Sequence, residues 1–155
     1  MGVPASNFPY AGITRSEAPA PGGYRLVSRR TLLGCSFRDA LPVLMTWGVK
    51  TRAGFRVSSS APVAVGDVLV VRLGPVREPV RVAWVTPAGF GYETLEGHPL
   101  SGEEAFLLET DDEGRLWFVN RSISRPVGAW RLVAWPLRIA QAFFVRRYGR
   151  VMRSL

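Results

Sequence analysis

The 155-residue chain predicts an α+β fold in which a curved antiparallel sheet of about seven strands wraps on a long C-terminal helix. Three observations carry that expectation. Apolar residues alternate with period two through much of residues 55–124, as half-buried strands require. The segments so patterned are joined by short proline, glycine and acidic turn signals, which connect antiparallel neighbours but are too short for parallel crossovers. Residues 127–155 then change to a helical period.

The elements follow in order. Residues 1–23 contain Pro4, Pro9, Gly12, Pro19, Pro21, Gly22 and Gly23, too many breakers for a helix or a central strand. An extended N-terminal arm is expected there, followed by a single α+β domain over residues 24–155. The run YRLVSRRTLL, Tyr24 to Leu33, reads as a strand ended by Gly34. Ser36 stands three residues before Asp39 in a pattern resembling a capping box. Phe37, Ala40, Leu41, Leu44 and Met45 share one face of a helix expected to end near Trp47 and Gly48, with Pro42 as a kink. Strands are expected at Phe55–Ser59, Asp67–Leu73, Val80–Thr86, Gly89–Leu95, Glu103–Glu109 and Arg115–Ser124. GPVREP, TPAG and DDEG supply the turns between them. The hairpin around DDEG is the clearest, because turn chemistry and flanking β-formers agree.

In the last segment a spacing of 100° per residue aligns Trp130, Val133, Leu137, Ala140, Phe144, Tyr148, Val151 and Leu155 as an apolar stripe. Arg131, Arg138, Arg146 and Arg153 fall on or near the far side. Pro136 either kinks one long helix or begins the second of two. A sheet of this size closing on such a helix gives the helix-grip arrangement of START and Bet v 1 type proteins, with a cavity between the layers. The alternative is a small closed β-barrel with the helix outside.

Composition bounds what the chain can be. An apolar fraction of 47% and a charged fraction of 21% are those of a globular domain. One cysteine excludes an internal disulfide, and neither a signal core nor a membrane-spanning apolar run is present, so a cytoplasmic location is expected. The opening MGVPAS fits the short N-myristoylation pattern. With 19 arginines and one lysine, however, the chain suggests a GC-rich bacterium, where that modification is not expected. The net charge of +8 is uneven: beyond Glu113 there are nine arginines and no acidic residue, which leaves the first 113 residues at about minus one. Such a basic end suits a solvated helix face or an anionic partner.

The stretch GYETLEGHPLSGEEAF holds the only histidine, His98, close to Glu103 and Glu104. Together with SRP at Ser124–Pro126, with Pro136, Gln141 and Tyr148, and with FPYAGITR and PGGYRLVSRRTLLG earlier, it resembles domain-of-unknown-function family nineteen-ninety. That family, also called uncharacterised protein family 0548, occurs in bacteria and plants, and the resemblance covers nearly the whole chain. It implies a fold and a site region, and no reaction. One departure is Glu93, where the family pattern has glycine.

Four chemistries bear on these residues. Metal binding lacks ligands, since adjacent Glu103 and Glu104 point to opposite faces of a strand; no metal and no cofactor are expected. Acid–base catalysis would pair His98 with Glu103 or Glu104, although neither Ser101 nor Cys35 makes a clear nucleophile. Binding of a small apolar or amphipathic molecule gains most from the fold. Gln141 lies within the apolar stripe and needs a partner, and Tyr92, His98, Glu103, Glu104, Ser124, Arg125, Gln141 and Tyr148 are the expected contacts. The fourth reading is an anionic or membrane surface met by Arg131, Arg138, Arg146 and Arg153, with Trp135 among them. No nucleic-acid motif is present, so that partner is not expected. The leading expectation is a non-enzymatic ligand-binding domain.

Overall fold

Local chemistry starts and stops most elements where the sequence places them. The computed structural model describes residues 2–155, so Met1, the first residue of the predicted arm and of the MGVPAS pattern, lies outside the described residues. Strand β1 is Arg25–Leu32 and is followed by helix α1, Phe37–Met45. The Ser36 hydroxyl accepts from the Asp39 amide at 3.2 Å and donates to the Asp39 carboxylate at 2.7 Å, capping the first turn. A short helix α2, Gly48–Arg52, then precedes β2 (Arg56–Val57), β3 (Val68–Leu73), β4 (Val76–Thr86), β5 (Gly89–Thr94), β6 (Leu100–Thr110) and β7 (Leu116–Pro126). A 3-10 turn, Gly128–Val133, leads into α3, Ala134–Arg153.

All seven strands pair antiparallel in one sheet of order β1-β7-β6-β5-β4-β3-β2. Its edges, β1 and β2, remain apart in that order, so the closed barrel is excluded and the helix-grip architecture is the one observed. The three helices cover the concave face, where Trp47, Phe90, Phe106, Phe118 and Met152 are buried. Strand β5 is buried at every position rather than alternately. Its second face is covered by the N-terminal arm, which bridges Ser6 to Leu95 and buries Phe8 and Thr14 against the convex side.

Five expectations need correction. First, the sequence places no element between the helix end near Trp47 and Gly48 and the strand at Phe55, where α2 stands. It begins after Trp47, which has φ 64° and is the one non-glycine residue with positive φ among the described residues. The ring of Trp47 is held between Phe90 and Tyr92, at 4.9 and 5.1 Å, so core packing maintains a backbone shape that propensity disfavours. Second, the strand expected at Phe55–Ser59 shrinks to two residues. Phe55 donates its amide to Lys50 as part of the helix exit, and the Ser58 hydroxyl accepts from the Val70 amide in place of a carbonyl.

Third, β4 starts at Val76, not Val80, with Pro79 inside it. Pro79 lies one residue beyond the last β4–β5 pair, Val80 with Thr94, and contributes only its carbonyl, to Leu95. Fourth, β6 starts at Leu100, so Gly102 is a strand residue rather than a turn residue. A Cβ there would lie 2.2 Å from the Ile123 carbonyl oxygen of β7. Fifth, the buried side of α3 is Val145, Tyr148, Gly149 and Met152, rotated by roughly a quarter of a turn from the predicted stripe. Trp130 and Val133 are exposed, and Phe144, Val151 and Leu155 are half-buried at its edge. Gly149 sets the rotation: a Cβ at that point would stand 2.5 Å from the Thr31 hydroxyl of β1, so the helix meets the sheet through its smallest residue. Pro136 occupies the first turn of α3, where its missing amide proton costs nothing, so it begins a helix after a 3-10 turn and does not kink one.

Candidate functional site

A cavity of about 250 Å³ lies between the concave face and the first half of α3. Its walls are mainly apolar, from Phe55, Leu73, Val76, Leu137, Phe144 and Val145, and exposed Trp130 and Ala140 border it on the solvent side. A polar group sits within it. The ammonium of Lys50, carried by α2, donates to the Tyr148 hydroxyl at 2.7 Å and pairs with a Glu104 oxygen at 3.2 Å. Tyr92 donates its hydroxyl to the same Glu104 oxygen, and the Asn120 amide donates to the other at 3.2 Å. Aromatic rings complete the cage, with the Lys50 nitrogen 4.4 Å from the centre of Phe55 and 5.0 Å from that of Tyr148.

This arrangement fixes protonation. Burial is the largest single effect and opposes the Lys50 cation, yet Glu104, Tyr148, Tyr92 and Glu78 together outweigh it and hold the ammonium well above its ordinary range. Burial raises both tyrosines, so Tyr92 and Tyr148 remain neutral hydroxyls. Burial also raises Glu78, against the pull of Lys50. The cluster is therefore an internally compensated ion pair with hydroxyl partners, at the edge of apolar walls.

Lys50 was not among the candidates read from the sequence. It is the sole lysine in a chain that otherwise uses arginine, embedded in the apolar run WGVK, and that singularity was the available signal. A compact, flexible ammonium fits a buried cage that a guanidinium of five fixed donors would overfill.

The sequence candidates divide between the two faces of the sheet. Tyr92, His98, Glu104, Ser124, Gln141 and Tyr148 reach the cavity wall. Gln141 finds its partner within the protein, donating to the Ser124 hydroxyl at 3.0 Å. Glu103 also touches the wall, but its carboxylate serves the convex side. It accepts from the Gly12 amide at 2.6 Å, the Thr14 amide at 2.8 Å, the Thr14 hydroxyl, and the Trp84 indole at 3.3 Å. Arg125 is not at the cavity: its guanidinium stacks 4.6 Å over the Tyr24 ring, which packs edge-on to Phe8 and Tyr10. Period two explains both, since odd-numbered residues of β6 and β7 face the arm. Glu93 faces the same way, near Arg81 at 3.5 Å, and burial raises its carboxyl. A side chain thus fits on the convex surface at the position where the resemblance pattern has glycine.

His98 is held as a turn element. Its Nδ1 accepts from the Leu100 amide at 2.9 Å, and its Nε2 lies 4.0 Å from Glu78, beyond hydrogen-bond length. Neither Glu103 nor Glu104 bonds it. Ser101 faces the convex side, donating to the Asn7 carbonyl at 2.7 Å, and Cys35 borders a separate depression beside Phe37. Among the described residues no three of His, Cys, Asp and Glu come together as a metal site, and no helix is long and apolar enough to cross a membrane.

Burial, aided by the Lys50 cation, lowers the His98 imidazole to about 3. An unfolded histidine titrates near 6.5, so between those values the unfolded chain binds the extra proton and stability falls as pH drops. The expected loss is about 2 kcal/mol between pH 6.5 and pH 5, from about 1.4 kcal/mol per unit. Glu78, raised in the fold, opposes part of this at the acid end. Urea unfolding across that range checks it: the slope should be present in the native chain and largely absent in His98→Gln. A native chain equally stable at both pH values would contradict a buried neutral imidazole.

Comparison with known proteins agrees with this architecture. A family model described as domain of unknown function (DUF1990) matches residues 8–151. The chain belongs to this family. A UPF0548 protein of Arabidopsis thaliana is 30% identical over 80% of this chain and 69% of its own length. A UPF0548 protein of Deinococcus radiodurans is 45% identical over 41% of this chain, a match that spans 33% of the relative. Among solved structures, a hypothetical protein of Helicobacter pylori superposes with a TM-score of 0.66 at 12% identity, covering 84% of this chain and 86% of that one. The Aha1 protein of Colwellia psychrerythraea gives 0.58 at 14%, over 83% and 96%, and the Bet v 1-like Ara h 8 gives 0.51 at 11%, over 83% and 98%. At such identities the likeness shows the fold alone, and that fold is helix-grip. This DUF1990 chain therefore shares a scaffold with proteins whose sequences it does not resemble.

Proposed function

We propose that this DUF1990 protein is a non-enzymatic binding domain that holds a small amphipathic molecule between the sheet and α3. The observation that supports it is the cavity itself: apolar walls enclosing one compensated polar cluster, the usual form of a small-molecule site. Lys50 and Glu104 already neutralise each other, so a ligand with an uncharged polar end suits the site better than an ion, which would bring an unpaired charge. His98 offers its Nε2 proton and Glu78 its carboxyl at the cavity wall, a donor and an acceptor for a hydroxyl or carbonyl. Apolar portions would lie against Phe55, Leu137 and Phe144.

Native mass spectrometry of the freshly purified chain checks this, with a bound mass expected above the 17.1 kDa polypeptide. Medium-chain fatty alcohols should raise the melting temperature of the native protein and not of Ala140→Trp, which plugs the cavity from an exposed helix position. A bare polypeptide that also melts unchanged with every alcohol would sink the reading.

A further inference from the structure

Among the described residues, the solvent side of α3 and of the 3-10 turn before it has no protein partner. Leu132, Trp135, Ile139 and Phe143 are 89, 72, 56 and 52% exposed. Their spacing of three, four and four residues sets them in one line along the solvent side, away from buried Tyr148, Gly149 and Met152. Continuous exposed apolar surface of this kind marks a contact site. Past Phe143 the same line continues as Arg146, Arg150 and Arg153, all exposed, and Arg131 and Arg138 flank its apolar half. No acidic residue follows Glu113, so the segment is cationic throughout.

We propose that this face docks the protein on an anionic lipid bilayer. The helix α3 would lie in the plane of the interface, its apolar line at the acyl boundary and its arginines against headgroup phosphates. Large exposed tryptophan and aliphatic side chains beside arginines are the combination an interfacial helix uses. The charge pattern argues against the other occupants. A second copy meeting this face about a two-fold axis would set arginines against arginines with no carboxylate between them. A nucleic acid would use the arginines but leave Leu132 and Ile139 without a role. The surface is read from the exposed side of α3 and does not depend on an occupied cavity. It has a consequence for the cavity all the same: Trp130, Leu137 and Phe144 line it from the same stretch of chain, so its rim lies beside the docked surface.

Co-sedimentation of the full chain with vesicles tests the proposal. Partitioning onto an equimolar phosphatidylglycerol and phosphatidylcholine mixture should exceed that onto phosphatidylcholine by about tenfold at low salt, and should weaken as salt rises. Trp135→Ser and Ile139→Ser should each lower it roughly fivefold, and Arg146→Gln combined with Arg150→Gln should do the same. Arg56→Gln, on β2, should leave it unchanged. All of these positions are exposed, and circular dichroism confirms folding of each variant. Equal partitioning on both vesicle types overturns the proposal, and so does vesicle binding indifferent to Trp135→Ser and Ile139→Ser. Retention by DNA without vesicle binding, or a dimer in solution that Ile139→Ser dissociates, overturns it as well.

Discussion

Lys50→Met should lower the unfolding free energy by about 3–5 kcal/mol, the range for removing one partner of a buried ion pair. The loss is large because Glu104 keeps its charge but not its counter-charge. Its oxygens would retain only the Tyr92 hydroxyl and the Asn120 amide, on a side chain 16% exposed and so poorly placed to recover the lost interaction from water. Tyr148 would lose its donor at the same time. Urea unfolding measures the effect, and a second variant isolates its cause. Lys50→Met combined with Glu104→Leu removes both charges, and most of the stability should return, since apolar groups of similar volume replace buried pairs at little cost. A double variant as unstable as the single one would show that packing around α2, and not the stranded carboxylate, sets the loss.

Glu103→Ala should release the N-terminal arm. One carboxylate takes four donors there, from Gly12, Thr14 twice and Trp84, while Arg121 holds the Thr14 carbonyl at 2.7 Å. Hydrogen bonds to a charged acceptor contribute about 1.5–3 kcal/mol each and are not additive, so a total near 4 kcal/mol is expected, most of it local to the arm. Trypsin reads this directly. Arg15 closes the arm's 3-10 turn, and cleavage after it should accelerate at least about tenfold in Glu103→Ala, through local opening. Glu104→Ala, on the other face, should destabilise the core without that acceleration. Unchanged cleavage in Glu103→Ala would mean that Phe8 and its aromatic neighbours alone hold the arm.

These paired glutamates show how far the sequence could be read. Their adjacency on a strand already required opposite faces, which excluded a shared site with His98. Nothing local said that one face carried an arm from ninety residues earlier or that the other carried a lysine from α2. The same division runs through the helices. Ser36 and Asp39 cap α1 through contacts three residues apart, which was legible, while Pro136 takes one of the two roles the sequence left open, in a first turn that accepts it. The buried side of α3 was not legible, because Gly149 and Thr31 set it across more than a hundred residues of chain. At the strand ends, Val76, Leu100 and the short β2 depart from expectation wherever a partner's carbonyl or hydroxyl, rather than the strand's own pattern, decides where the ladder stops.

The amino-acid order by itself thus determined the class of fold, the succession of strands and helices apart from α2, the family signature around His98 and the cationic end of the chain. The signature rests on resemblance to the family; the others rest on periodicity, turn chemistry or charge, interactions within a few residues. Only the tertiary structure decided that Lys50, Glu104, Tyr92 and Tyr148 form one cage, that Glu103 and Arg125 serve the arm, and that Leu132, Trp135, Ile139 and Phe143 are left facing solvent. Those outcomes depend on which distant surfaces meet, and burial, which sets both packing and protonation, exists only once they have met.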